Sequence, residues 1–303
     1  MLDEARSGAA LFDVIVIVDW SAQSSAKRGA DSIWSYELDA ALPAHGDPIN
    51  HPTRAEAREH LVSRLQRHAT RTVLLGFDFP LGYPAGFAAA AGLLAGHLPP
   101  WAATWQHLAS TIADDTHNRN NRWAVAAGLN ERLGHHRFWG SPPAYAGRHL
   151  PMHKPLPAHP DRAIEQRLRA HGLRPFSTWQ LLGAGSVGSQ ALTGIPVAHP
   201  LRHHPTLRHR TRVWPFETGL TAHPTAGPGS ANGAIVIAEI WPSAIDFGHV
   251  AHDVKDARQV MALADHLGHL DHAGALVARF RPRMNPATAL HVVGEEGWVL
   301  PLR

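Results

Sequence analysis

Three dense apolar runs stand out along the chain, and each one ends at or contains a carboxylate. Phe12 to Val18, FDVIVIV, is almost unbroken and β-branched, and it stops at Asp19. That density predicts a central strand buried on both faces. Ile33 to Leu38, IWSYEL, alternates apolar and polar side chains and predicts a second strand, hairpin-paired with the first. Thr72 to Phe77, TVLLGF, is a third strand that ends at Asp78 and the turn FPLGYP. Ala234 to Ile240, AIVIAEI, returns to the same pattern and carries Glu239 inside it.

Helical periodicity fills the intervals. Thr53 followed by Glu56 is a capping-box signature, and Leu61 and Leu65 give the next stretch, to His68, an apolar face. From Asp253, DVKDARQVMALADHL places Val254, Ala257, Val260, Met261 and Ala264 on one side, with Asp253 at the cap position and Asp256 in the first turn. Residues 85–229 differ in character, being rich in Pro, Gly, His and Trp. Short helices are predicted there at 85–96, 101–112, 121–133 and 161–171, with Pro196 to Gly229 mostly irregular. WVL near the end is one further edge strand. The pattern is that of an α/β fold with a core formed by 1–84 and 230–303, and with 85–229 as an insertion or cap over the site.

Composition narrows the chemistry. The 303 residues include no cysteine, which excludes disulfides, thiolate metal sites and a cysteine nucleophile. The formal charge is only +3, and Lys27, Lys154 and Lys255 are the only lysines, so charge alone gives no case for nucleic acid. The acidic residues near the N-terminus and the lack of a long apolar stretch favour a cytoplasmic protein with no membrane segment.

The carboxylates are the main chemical signal. Strand ends deliver Asp19, Asp78 and Glu239, and a helix start delivers Asp253 and Asp256, three apart on one face. In α/β sheets the carboxyl edge is where sites form. Carboxylates at close range repel unless protonated or neutralised by a cation, and oxygen ligands without cysteine favour Mg²⁺ or Mn²⁺. Taken singly, an aspartate after a strand is more often a turn former or a cap. Glu239 is different, because a charge within an apolar strand needs a partner.

The segments VDWSA at 18–22, GFDFPLGYP at 76–84, AEIWPS at 238–243 and HDVKDARQV at 252–260 resemble, in their order, a ribonuclease-H-like family of predicted nucleases, domain of unknown function family 429. The last segment also resembles the terminal acidic helix of Holliday-junction resolvases. This resemblance implies an RNase-H-like mixed sheet flanked by helices and metal-dependent phosphodiester chemistry. Asp19 would bridge metals between Asp78 and Asp256, and Glu239 would serve as a further ligand or a base. Over nearly the whole chain, the same segments together with NNRWAVAAGLN, WQLLGAGSVGSQALTGIP and VWPFET look like bacterial proteins labelled as molybdopterin guanine dinucleotide synthesis proteins. That implies a nucleotide-like small substrate.

Catalysis is therefore expected from Asp19, Asp78, Glu239 and Asp256, with Asp19, Asp78, Asp253 and Asp256 as metal ligands. Trp20, Ser21, Asn121, Arg122, Gln180, Ser186 and Lys255 are the expected substrate contacts; Arg122 suits a phosphate or carboxylate held bidentately. Each has a structural alternative, as a satisfied hydrogen bond or a solvated helix face. Gly183, Gly185 and Gly188 form a formal GxGxxG without an acidic residue at the ribose distance, so a Gly/Ser loop at an anion and a plain flexible loop both stay open. The expected function is a metal-dependent, nuclease-like hydrolase acting on nucleic acid or a nucleotide-like molecule. The alternatives are a small-molecule enzyme of cofactor or secondary metabolism and a noncatalytic accessory protein.

Overall fold

The computed structural model describes residues 10–42, 46–94, 96–157, 160–183, 186–227, 229–230 and 233–302. In chain order the elements are β1 (Val14–Asp19), β2 (Ile33–Asp39), β3 (Ile49–His51), α1 (Arg54–Arg67), β4 (Val73–Phe77), α2 (Phe87–Ala90), α3 (Pro100–Thr111), α4 (Arg122–Leu133), α5 (Ala163–Ala170), α6 (Val187–Arg202), β5 (Thr211–Val213), β6 (Ile235–Ile240), α7 (Lys255–His272), α8 (Val277–Phe280), α9 (Pro286–His291) and β7 (Val299–Leu300). The strands form one seven-stranded mixed sheet in the order β3-β2-β1-β4-β6-β5, with β7 beside the end of β6. β1, β2 and β3 are an antiparallel meander, while β4 and β6 run parallel to β1.

The period of two along the strands sorts their side chains into two cores. Val14, Val16, Val18, Val73, Leu75, Phe77, Ile235 and Ile237 face one way, against α1, α3, α4 and α6. Ile15, Ile17, Leu74, Val236, Ala238 and Ile240 face the other, against α5, α7 and α8. Segment 85–229 thus supplies most of one helical layer, as well as β5 in the sheet. No described helix is long and apolar enough to cross a membrane.

The N-cap half of the predicted capping box forms: Thr53 is the N-cap of α1 and its side chain accepts from the Glu56 amide, while the Glu56 carboxylate accepts from the Thr53 hydroxyl rather than from its amide. Three element predictions change. Of 85–96, only Phe87–Ala90 is helical. The stretch expected to be irregular from Pro196 continues α6 as far as Arg202, with Pro196 and Pro200 inside it. Each proline costs about 3 kcal/mol of helix propensity. Burial of Leu192, Ile195, Ala198 and Leu201 outweighs this, since each such side chain contributes roughly 1–3 kcal/mol when removed from water. Lastly, α7 begins at Lys255 with Val254 at its cap position, so Asp253 is not the cap.

Candidate active site

Strand register builds the centre of the site. β1 and β4 pair in parallel with Val18 opposite Phe77, which sets the next residues, Asp19 and Asp78, side by side at the carboxyl edge. Neighbouring strands lie about 4.8 Å apart, and register partners point to the same face. The two carboxyls perturb each other's ionisation, raising Asp19 and lowering Asp78. The Trp20 amide donates to Asp78 Oδ1 at 2.7 Å.

Asp256 approaches from α7, which packs on the same face of the sheet as these two aspartates. Its Oδ2 accepts from the Asp31 amide at 2.6 Å. Asp31 itself has a φ of +55°, in the left-handed region that a turn aspartate tolerates. Asp19, Asp78 and Asp256 all line one cavity of about 440 Å³, a size suited to a small ligand.

Electrostatics ties the three together. Burial holds the Asp19 carboxyl well above the ordinary carboxylate range; the charges of Asp78 and Asp256 raise it further, and Lys255 partly offsets them. Burial lifts Asp78 to about 6, against hydrogen bonds from Asp19 and the Trp20 amide that favour its ionised form. Asp256 is raised by burial, opposed by the Asp31 amide. The result is a carboxyl pair that retains a proton unless a cation replaces it.

Glu239 is not part of this cluster, and its expected role as ligand or base is corrected. It pairs in register with Phe77, one residue short of Asp78, so the pleat turns its side chain to the opposite face. There its two oxygens accept from Arg162 Nη2 and Nη1 at 2.6 and 2.7 Å, and Oε2 also accepts from the Leu81 amide. Arg162 and Glu165 complete a buried ion triad. Asp253 is exposed, ahead of α7, and does not line the cavity.

The expected substrate contacts divide. Ser21, Arg122 and Ser186 line the cavity. Trp20 lines it too, but its indole is 2% exposed, packs edge-on against Phe77 and Phe79, and is committed to the core. Asn121 is structural: its side chain accepts from the Ala113 amide and donates to the Thr111 carbonyl. Gln180 donates to the Leu182 carbonyl and so braces the glycine loop. Lys255 is exposed outside the cavity lining and acts on Asp19 and Asp256 only through its charge. Of the three glycines, Gly185 lies outside the described residues. Gly188 allows α6 to start tight against the preceding loop, because a Cβ there would lie 2.6 Å from the Gln180 and Thr178 carbonyl oxygens.

Residues missed by sequence reasoning complete the wall. Gln190 donates to the Trp20 carbonyl at 2.6 Å, Ser189 accepts from Arg122, and Gln259 donates to Ser243. The run GSVGSQ was the available signal for the first two, but only the position of α6 over the sheet edge shows which way it faces.

The donor set tests a divalent ion as follows. The oxygens are hard, cysteine is absent, and the acid pair needs a positive charge to ionise fully. Among the described residues, no group of three or more His, Asp or Glu side chains stands arranged to hold a metal ion. What the site offers an ion is two adjacent carboxyls, Asp19 and Asp78, and Mg²⁺ is commonly bound through one or two carboxylates with water completing its shell. No family model matches the chain, and neither the curated proteins nor the solved structures searched contain a match.

Proposed function

We propose that the protein is a metal-dependent hydrolase of the nuclease type on an RNase-H-like sheet, acting on a phosphodiester or nucleotide-like small substrate. The observation that carries this reading is the proton-sharing pair Asp19–Asp78 at the carboxyl edge of two adjacent parallel strands, with Asp256 facing the same cavity. The antiparallel meander β3-β2-β1, continued by parallel β4 and β6, supports the RNase-H-like assignment. When bound, Mg²⁺ or Mn²⁺ supplies charge neutralisation and Lewis-acid polarisation of a phosphoryl oxygen. Asp19 and Asp78 would hold the ion, leaving the rest of its shell to water and substrate oxygens. Asp256, pinned by the Asp31 amide, would flank the ion from the same cavity.

A small substrate is favoured over a duplex by one observation. The acid pair opens into a cavity of about 440 Å³ whose wall includes the apolar side chains of Phe176, Leu182 and Trp241. The test is calorimetric titration of Mg²⁺ and Mn²⁺ into wild type and Asp19→Asn, followed by cleavage assays on mononucleotide, single-stranded and branched substrates. Binding that is lost in the variant, with metal-dependent cleavage of the small substrates, is expected. Wild type that binds neither ion, even with a nucleotide present, removes the metal-dependent reading.

A further inference from the structure

The cavity wall formed by α4 and α6 carries the opposite charge to the acid pair. Arg122 is only 7% exposed and lines the cavity, yet none of its hydrogen bonds reaches a carboxylate. Its Nε donates to Ser189 Oγ at 3.1 Å, and its Nη1 donates to Ser24 Oγ and Asn120 Oδ1, both at 2.9 Å. All three acceptors are neutral, and Nη2 has no hydrogen-bond partner among the described residues. Elsewhere Arg54, Arg64, Arg71, Arg162 and Arg202 each sit on an aspartate or glutamate, and Arg210, buried like Arg122, has both Nη groups satisfied by backbone carbonyls. A guanidinium removed from water without a counter-ion is costly, and a bound anion relieves that cost. Burial, with neighbouring Arg54, accordingly lowers Arg122 to about 10.

The amino end of α6 meets Arg122 at this wall. Ser186 and Val187 line the same cavity, and the helix behind them runs for 16 residues. Among the described residues, neither the Val187 amide nor the Ser186 hydroxyl has a hydrogen-bond partner. Ser189, one turn into the helix, fixes the guanidinium through Nε while its own hydroxyl donates to the Leu181 carbonyl at 2.6 Å. A helix amino end and a fixed cation reinforce each other toward an anion. The donors come from two elements, α4 and α6, and a phosphate has enough acceptor oxygens to meet both. Phe176 and Leu182, 45% and 47% exposed, offer unpartnered apolar surface on the same cavity.

We infer that Arg122 and the first turn of α6 form a seat for the terminal phosphate of a small substrate whose apolar part lies along Phe176 and Leu182. The substrate class rests on the proposed function, whereas the anion seat stands without it.

The experiment titrates the full chain, free of metal at pH 7, with inorganic phosphate and with phenyl phosphate, using calorimetry and amide and arginine-side-chain NMR. Expected are shifts at the Val187 amide and at Arg122 Nε, with tighter binding of phenyl phosphate. Arg122→Gln weakens both ligands by about tenfold or more, the usual worth of a charge-assisted hydrogen bond. Arg122→Lys, which keeps the charge but loses the fork, falls between. If Arg122→Gln does not fold, the wild-type shift map and Ser186→Ala decide. Saturating phosphate that leaves Val187 and Arg122 unshifted overturns the seat, as does a folded Arg122→Gln that binds phosphate like wild type. Equal affinity for the two ligands overturns the apolar part. Phosphate binding at the seat in a protein that binds no metal would preserve this inference and remove the hydrolase reading; metal binding without phosphate at Arg122 would do the reverse.

Discussion

In metal-free protein, Asp19→Asn is expected to raise stability above pH 6 rather than lower it. The side chains are nearly isosteric, and the Asn amide can still donate to Asp78 as the Asp19 carboxyl does. What the substitution removes is the ionisation of Asp19, which burial and its two acidic neighbours oppose. Lifting Asp78 from 3.8 to about 6 means that ionising it in the folded state costs about 3 kcal/mol at high pH. Residual water contact at the cavity screens this to about 1–2 kcal/mol. Asp19, raised by burial and by its two acidic neighbours, adds in the same direction. Between about pH 4 and 6 the folded pair keeps a proton that the unfolded chain has lost, so stability falls as pH rises through that window.

Urea unfolding in EDTA at pH 4 and pH 8 measures the effect, with the slope checked for constancy. Wild type loses about 1–3 kcal/mol between the two, and the variant, which keeps Asp78 but no longer ionises at position 19, loses less and ends more stable at pH 8. Millimolar Mg²⁺ reverses the order, since a ligand stabilises only the form that binds it. An Asp19→Asn protein that is less stable than wild type at pH 8 without metal, at unchanged slope, would refute the proton-sharing pair.

Other predictions address the supports of the site. Glu239→Gln disrupts the buried triad with Arg162 and costs about 3 kcal/mol or more, yet leaves Mg²⁺ affinity unchanged in calorimetry, because Glu239 faces away from the acid pair. Gly194→Ala sets a Cβ 2.4 Å from the Phe79 ring and lowers stability by about 1–3 kcal/mol, readable as a drop in thermal midpoint. Thr53→Ala removes the α1 cap and costs about 1 kcal/mol in urea unfolding, with no change in ligand binding.

The strand-and-helix frame was legible because its signals are local. FDVIVIV, TVLLGF and AIVIAEI are too apolar for anything but buried elements, and the α1 cap is written in two residues. The two aspartates were legible for the same reason: each follows directly on such a run. Glu239 shows where local reading ends. It needs a partner by any account of burial, but whether that partner is a metal beside Asp78 or an arginine behind the sheet depends on a register offset of one residue. Register between strands over 150 residues apart is a tertiary property. α6 is the mirror case, where two prolines spoke against a helix and packing against Phe79 and its neighbours decided for it.

The two buried arginines at functional distance from this chemistry show how the fold treats charge. Arg162 is quenched: two glutamates surround it, and their charges hold it protonated against the effect of burial. Arg122 and the Asp19–Asp78 pair line a single cavity, and no salt bridge joins them. A packing feature would quench both signs in a direct ion pair, as at Arg162, or satisfy the whole guanidinium with backbone carbonyls, as at Arg210. At Arg122 the guanidinium is held by neutral hydroxyl and amide groups and by the Trp123 ring, with no hydrogen bond to Nη2 among the described residues, and backbone amides hold Asp78 and Asp256. Both charges are thus fixed in position without an ion pair between them, the cation on the wall of α4 and α6 and the acids at the sheet edge, where Lys255 partly offsets them. A ligand carrying a negative group, together with a cation, satisfies both walls at once, and a phosphorylated small molecule with a divalent ion has that distribution of charge.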